Sequence, residues 1–189
     1  MKKIAVFASG SGSNAQKIIE YFAEKPLAKV QIILSNKKDA YVLERAKNFQ
    51  IPSYVFNREE FYNSDKILDL LIHHQIDLIV LAGFLWLVPE NLLKYYPNKI
   101  INIHPALLPK YGGKGMYGER VHEAVVADRD EYSGITIHYI NEHYDKGDII
   151  FQAKCKIEPN DTAEDVAEKV HALEYEHFSR VVNEVLVKL

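Results

Sequence analysis

The chain has 189 residues, of which 48% are hydrophobic and 26% charged, and it carries a net charge of −3. This is ordinary globular composition, too apolar for a disordered chain, and it offers no basic excess to draw in nucleic acid or an anionic membrane. A single cysteine, Cys155, excludes an internal disulfide, and the longest apolar stretch, residues 78–88, is too short to cross a bilayer and ends at Pro89.

Strand and helix patterns alternate along the chain. Residues 3–8 form an apolar run ending in Ser and Gly and read as a buried strand. Residues 14–23 place Ile18, Ile19 and Phe22 at helical spacing. A β-branched strand follows at 30–34, then a helix at 40–49 with Val42, Leu43 and Ala46 on one face, and a weak strand at 54–56. Residues 64–74 carry Ile67, Leu68, Leu71 and Ile72, another amphipathic helix. The wholly apolar Leu78–Leu81 has the character of a strand covered on both faces. Pro89 opens a short helix to about residue 95, and 99–103 is a strand. After a glycine-rich stretch come a helix at Glu119–Ala127, strands at 134–140 and Ile149–Lys156, and a long helix at 162–187. Thr162 with Asp165 has the spacing of a capping box at its start.

No repeat, low-complexity segment or Pro/Gly/Ser-rich linker divides the chain, so residues 1–189 are expected to form one domain, soluble and cytoplasmic. The alternation predicts an α/β fold, a doubly wound, mostly parallel Rossmann-like sheet flanked by helices. Ligands of such sheets bind at the carboxyl ends of strands, near the reversal of strand order. That directs attention to the loops at 9–14, 83–88, 104–118 and 141–147.

The first loop is Ser9-Gly10-Ser11-Gly12-Ser13-Asn14. Glycines allow close backbone approach, and a helix start offers free N–H groups and partial positive charge. Gly10-x-Gly12-x-x-Ala15 formally fits a dinucleotide fingerprint, but no acid stands at the end of the second strand before Asp39. No Gly-Lys-Ser/Thr follows, which removes a Walker loop. A tight turn with no ligand stays open; the best reading is a single phosphate on Gly12, Ser13 and Asn14.

Asn102-Ile103-His104-Pro105 closes the strand that starts at Lys99. Residues two apart on a strand share a face, so Asn102 and His104 project together while Ile103 turns away. A side-chain amide can donate to an oxygen that becomes negative during acyl transfer, and an imidazole can move protons near neutral pH. Asp145, in the loop that Gly147 lets turn, is the candidate to orient that imidazole. A hydrogen-bonded core histidine is the bland alternative. His138, His143 and Asp145 have a spacing open to a metal, but His138 lies inside a strand and no His-Glu-x-x-His helix supports it, so no metal is expected. A serine hydrolase using Ser9, Ser11 or Ser13 lacks a Gly-x-Ser-x-Gly elbow with the right spacing.

These strings carry a resemblance. Ser-Gly-Ser-Asn at 11–14, Leu81-Ala82-Gly83-Phe84, Asn102-Ile103-His104-Pro105-Ala106-Leu107-Leu108-Pro109, Gly134-Ile135-Thr136-Ile137-His138 and Asp145-x-Gly147 together resemble the phosphoribosylglycinamide formyltransferases, folate-dependent enzymes of purine synthesis. The likeness runs nearly end to end. It implies a formyltransferase fold and transfer of the formyl group of 10-formyltetrahydrofolate, the co-substrate, to the amine of glycinamide ribonucleotide. It implies that Asn102 bonds the developing oxyanion, that His104 is the general acid/base and that Asp145 holds His104. The phosphate would sit on Gly12, Ser13 and Asn14 beside the backbone of Ala15, and Glu174 would contact the ribose. The folate would lie against Leu85, Trp86, Leu87 and Val88 and the loop Asn141, Glu142, His143 and Tyr144.

Three features depart from many relatives. Trp86 stands where they carry a cationic or polar residue, residues 112–118 are unusually glycine-rich, and the last helix reads Glu174-Tyr175 and then Phe178-Ser179. The partners implied are small molecules, with no nucleic acid and no membrane, and the chain is expected to be a monomer or homodimer. The rival readings are a methionyl-tRNA formyltransferase, expected to need a further C-terminal domain, a formyltetrahydrofolate hydrolase, expected to need an N-terminal regulatory domain, a sugar-nucleotide formyltransferase, usually longer and without this phosphate loop, and a non-catalytic nucleotide-binding module.

Overall fold

The computed structural model describes all 189 residues. Seven strands form one sheet: β1 (Lys2–Phe7), β2 (Ala28–Ser35), β3 (Ser53–Val55), β4 (Leu78–Leu81), β5 (Ile100–His104), β6 (Tyr132–Tyr139) and β7 (Ile149–Lys156). Their spatial order is β3-β2-β1-β4-β5-β6-β7. The first five pair in parallel, and β6 and β7 add an antiparallel end. The expected doubly wound, mostly parallel sheet is therefore present.

Seven helices cover the two faces: α1 (Ser13–Ala23), α2 (Val42–Asn48), α3 (Arg58–Tyr62), α4 (Lys66–His73), α5 (Glu90–Tyr95), α6 (Glu119–Ala127) and α7 (Ala163–Lys188). The alternation of each strand sorts its residues between two cores. Ile4 and Val6 join Ile18 of α1, Val42 of α2, Val125 of α6 and Val182 of α7. Ala5 and Phe7 join Phe61 of α3, Leu71 of α4 and Leu92 of α5. In β2, Val30 and Ile32 lie two apart yet bury in opposite cores. The β1–β2 register slips between Ile4 and Ala5, so Gln31 is the extra residue of a bulge that turns Ile32 over.

Helix α3 is absent from the sequence reading. It is five residues long and buries only Phe61, too little to leave a periodic signal. An Asn57–Glu60 capping box holds its start. The capping box expected at the head of α7 is present, with both the Thr162 and the Asp165 side chains bonded to backbone amides.

The order of strands reverses at β1, whose two neighbours, β2 and β4, come from opposite directions of the winding. The loops leaving β1 and β4 meet there. Ser9 donates its N–H to the Gly83 carbonyl at 3.0 Å. The crevice beyond these strand ends is the expected ligand position.

Candidate active site

Ser9 sits at the centre of this junction, 4% exposed. Its hydroxyl donates to Asn36 Oδ1 at 2.6 Å and accepts the Leu85 amide at 3.1 Å. It ties three strand-end loops together, and with both roles filled it is not a nucleophile. Gly12 adopts φ 72° at the head of α1, and a Cβ there would lie 2.4 Å from Val42 Cγ2. Glycine is required for both reasons. No side chain caps the helix, and the amides of Ser13, Asn14 and Ala15 have no acceptor. They form an open seat for an anion. Ala15 contributes only this amide, because its side chain is fully buried.

The Asn14 side chain does something different from what the sequence suggests. Its Nδ2 donates to Glu174 Oε2 at 2.8 Å instead of turning to the helix start. Asn14 Oδ1 is enclosed without a partner. Glu174, on α7, is 7% exposed. Burial holds its carboxyl above the ordinary range, partly opposed by the Asn14 bond and by the charge of His171. An α1 residue and an α7 residue thus meet at one wall of the crevice.

Asn102 and His104 extend the row begun by Ile100 on β5, and Ile101 and Ile103 face the opposite core. Across the antiparallel pair, Asn102 stands opposite His138 and His104 opposite Thr136. Thr136 Oγ1 donates to the Ala106 carbonyl at 2.7 Å and accepts from the Leu108 amide at 3.0 Å, fixing the exit of β5. His138 Nδ1 faces the Tyr139 carbonyl at 2.9 Å, and its Nε2 lies 3.2 Å from Asn102 Nδ2. With the proton on Nδ1, Nε2 accepts from the asparagine amide. Burial, the largest effect, lowers the proton affinity of the fully enclosed His138 and keeps it neutral for that purpose.

His104 is 4% exposed. Its Nε2 lies 2.7 Å from the Tyr111 carbonyl, and its Nδ1 lies 3.6 Å from Asp145 Oδ1. Both ring nitrogens face acceptors. A neutral ring can donate to one of them and a charged ring to both. Asp145 Oδ1 also lies 3.7 Å from His138 Nε2, and Oδ2 accepts the Gly113 amide at 2.9 Å. One carboxylate therefore stands beside His104 and is bonded to the glycine-rich segment, while the proton-free His138 Nε2 lies near it without a hydrogen bond. Gly147 serves the Asp145 loop by close approach, since a Cβ there would lie 1.7 Å from the Tyr139 carbonyl.

These groups line a cavity of about 680 Å³. The α1 head, Glu174 and His171 lie along it, as do Asn102, His104 and Asp145. So do Lys114, Met116, Tyr117 and Gly118, so the glycine-rich segment forms part of the wall. A smaller pocket of about 50 Å³ shares Asn102 and Asp145 and is lined by Leu81, Trp86, Leu87, Val88 and His143. Leu85 and Tyr144 face the larger space. Asn141 and Glu142 line neither. Asn141 instead bonds the Lys146 carbonyl and the His143 amide within its own loop, and the Glu142 side chain is 74% exposed. The structure thus leaves these two of the expected folate residues outside the cavity, Asn141 taken up by bonds within its own loop and Glu142 turned to solvent.

Sequence reasoning missed His138 as the partner of Asn102, Tyr111 as the acceptor for His104, and the cavity residues Lys37, His122 and His171. The Arg58 guanidinium lies 4.8 Å from the centre of the Trp86 ring, a cation–π arrangement. The polar alternation of Thr136 and His138 in a strand was the one available signal for the first of these.

The model of the family described as formyl transferase matches residues 2–182. The chain belongs to the formyl transferase family and is an enzyme of the transferase class. Within that family it is 38% identical over 191 residues to the phosphoribosylglycinamide formyltransferase of Bacillus subtilis, covering 98% of this chain and 95% of that protein. It is 41% identical to the chloroplastic phosphoribosylglycinamide formyltransferase of Arabidopsis thaliana, of whose length it spans 65%. The crystal structure of glycinamide ribonucleotide transformylase 1 from Geobacillus kaustophilus superposes with a TM-score of 0.89 at 36% identity, over 98% of this chain and 99% of that one.

Proposed function

We propose that this protein transfers the formyl group of 10-formyltetrahydrofolate to the amine of glycinamide ribonucleotide. The observation that carries this reading is the placing of Asn102, His104 and Asp145 in one cavity with both the uncapped head of α1 and the apolar pocket beside Trp86. The nucleotide phosphate takes the amides of Ser13, Asn14 and Ala15, and the ribose lies against Glu174. The pterin lies at Leu85–Val88 and Tyr144, where an apolar cleft with backbone donors suits a flat heterocycle. Arg58 has no carboxylate within ion-pair distance and supplies a cation for the folate's acidic tail.

The amine attacks the formyl carbon. A new C–N bond forms, the formyl oxygen gains negative charge, and the bond to folate N10 then breaks. Asn102 donates its remaining amide hydrogen to that oxygen, in the orientation His138 fixes. One proton leaves the amine and one reaches N10. His104, held between Asp145 and the Tyr111 carbonyl, is the group that carries protons.

The test is a direct assay with purified protein and 10-formyltetrahydrofolate, following folate absorbance with and without glycinamide ribonucleotide. Conversion that requires the nucleotide is expected. Conversion without it makes the protein a hydrolase, and no conversion in either case favours a binding module.

A further inference from the structure

His122 lies in α6, is 2% exposed, and lines the wall of the large cavity. Its Nδ1 is sealed without a hydrogen-bond partner. A buried polar atom left unpaired is costly, and an unpaired N–H is rarer than an unpaired acceptor. The single proton of the neutral ring therefore belongs on Nε2, at the ring edge that meets the cavity. Burial first, and then the charges of His171 and His104, pull this imidazole down to about 4, so it is an uncharged donor at neutral pH. Such a donor suits a neutral carbonyl better than a phosphate.

One neighbour places it near the sugar end of the cavity. The His122 and His171 rings lie 6.4 Å apart, centre to centre. His171 stands one helical turn before Glu174, at the sugar end. His104, the other histidine acting on it, marks the reacting end. All three histidines line the same cavity.

We propose that His122 is a specificity residue for the acceptor, donating Nε2–H to the amide carbonyl that joins the reacting amine to the ribose. This rests on the acceptor being glycinamide ribonucleotide, as proposed above. The α6 donor completes a set in which α1 holds the phosphate and α7 the ribose.

The experiment compares His122→Phe, which fills the space without a donor, with His122→Gln, whose amide reaches the same edge. Steady-state constants are measured for both substrates, with thermal shifts on adding each substrate alone. The expected result for His122→Phe is a KM for the nucleotide raised about tenfold, with kcat and the folate KM within about twofold. His122→Gln should restore most of the loss, and the folate-induced thermal shift should persist in both variants. An unchanged nucleotide KM in His122→Phe, or an equal rise in both KM values, overturns the inference. Should His122→Phe fail to fold, His122→Leu replaces it, and equal nucleotide KM values for His122→Leu and His122→Gln overturn the inference. Wild-type protein without nucleotide-dependent conversion removes the functional reading as well.

Discussion

Asn102 and His138 face each other across the β5–β6 pair, with 3.2 Å between the asparagine amide nitrogen and the imidazole Nε2. Because His138 Nδ1 is taken up by the Tyr139 carbonyl, Nε2 is free to accept, and Asn102 is held with one amide hydrogen spent and one directed at the cavity. Replacing His138 by Phe frees the asparagine to rotate. The expected result is a kcat lowered by about tenfold, with KM values for both substrates nearly unchanged. His138→Asn, which keeps a polar acceptor, should lose less. A His138→Phe variant with wild-type kcat would remove His138 from the account.

Glu174 couples stability to nucleotide binding. Its carboxyl is buried and held above its ordinary 4.5. Above pH 4.5 the unfolded chain loses this proton first, so the contribution of Glu174 to stability falls as pH rises through the window up to the folded value and then levels. Glu174→Gln removes this pH-dependent loss. Its melting temperature relative to the parent should climb between pH 4.5 and pH 7, while its KM for the nucleotide rises. A parallel pair of melting curves across that range would show that burial of this carboxyl carries no such cost.

The buried histidines add a loss of stability on the acid side. His122, held down to about 4 chiefly by burial, and His138, lowered for the same reason, stay neutral in the folded protein while they charge in the unfolded chain. At these two sites the unfolded state binds more protons below pH 6.5, so their contribution to stability falls as pH drops from there towards 4. Each such histidine contributes a slope of up to about 1.4 kcal/mol per pH unit. Chemical denaturation of His122→Gln at pH 7, 6 and 5 should show a shallower fall than the parent protein. An identical fall would contradict the assignment.

Gly12 combines φ 72° with a contact that leaves no room for a Cβ. Gly12→Ala should destabilise the protein by about 1–3 kcal/mol and raise the nucleotide KM by tilting the head of α1. The clash includes Val42 Cβ at 2.6 Å and Cα at 2.9 Å, which alanine retains, so Val42→Ala in the same chain should not restore the stability. Denaturant midpoints of the single and double variants measure both effects.

Much of the fold was legible because Ile4–Ala8, Leu78–Leu81 and the isoleucines 100, 101 and 103 are buried, which gives these strands apolar residues on both faces. The pairing of Asn102 with His104 followed from strand alternation alone. What stayed hidden depends on register or distance. His138 becomes the partner of Asn102 only once β6 is known to run antiparallel to β5 with that alignment. His122 and His171 sit on different helices, and Arg58 reaches Trp86 from a five-residue helix with one buried residue. Asn14 could be assigned to the phosphate loop but not to Glu174, because that bond joins α1 to the far end of the chain. Asn141 and Glu142 lay in the right loop, yet its internal hydrogen bonds decide which side chains face inward.

The most direct test of the central claim is single-turnover formyl transfer by Asn102→Ala and His104→Ala, with both substrates saturating and their binding measured separately. The account predicts intact binding and a transfer rate lowered roughly 10²–10³-fold for Asn102→Ala, the loss of one oxyanion donor. A comparable or larger loss is expected for His104→Ala. Wild-type transfer rates in both variants would contradict the assignment of Asn102 and His104 to the chemical step.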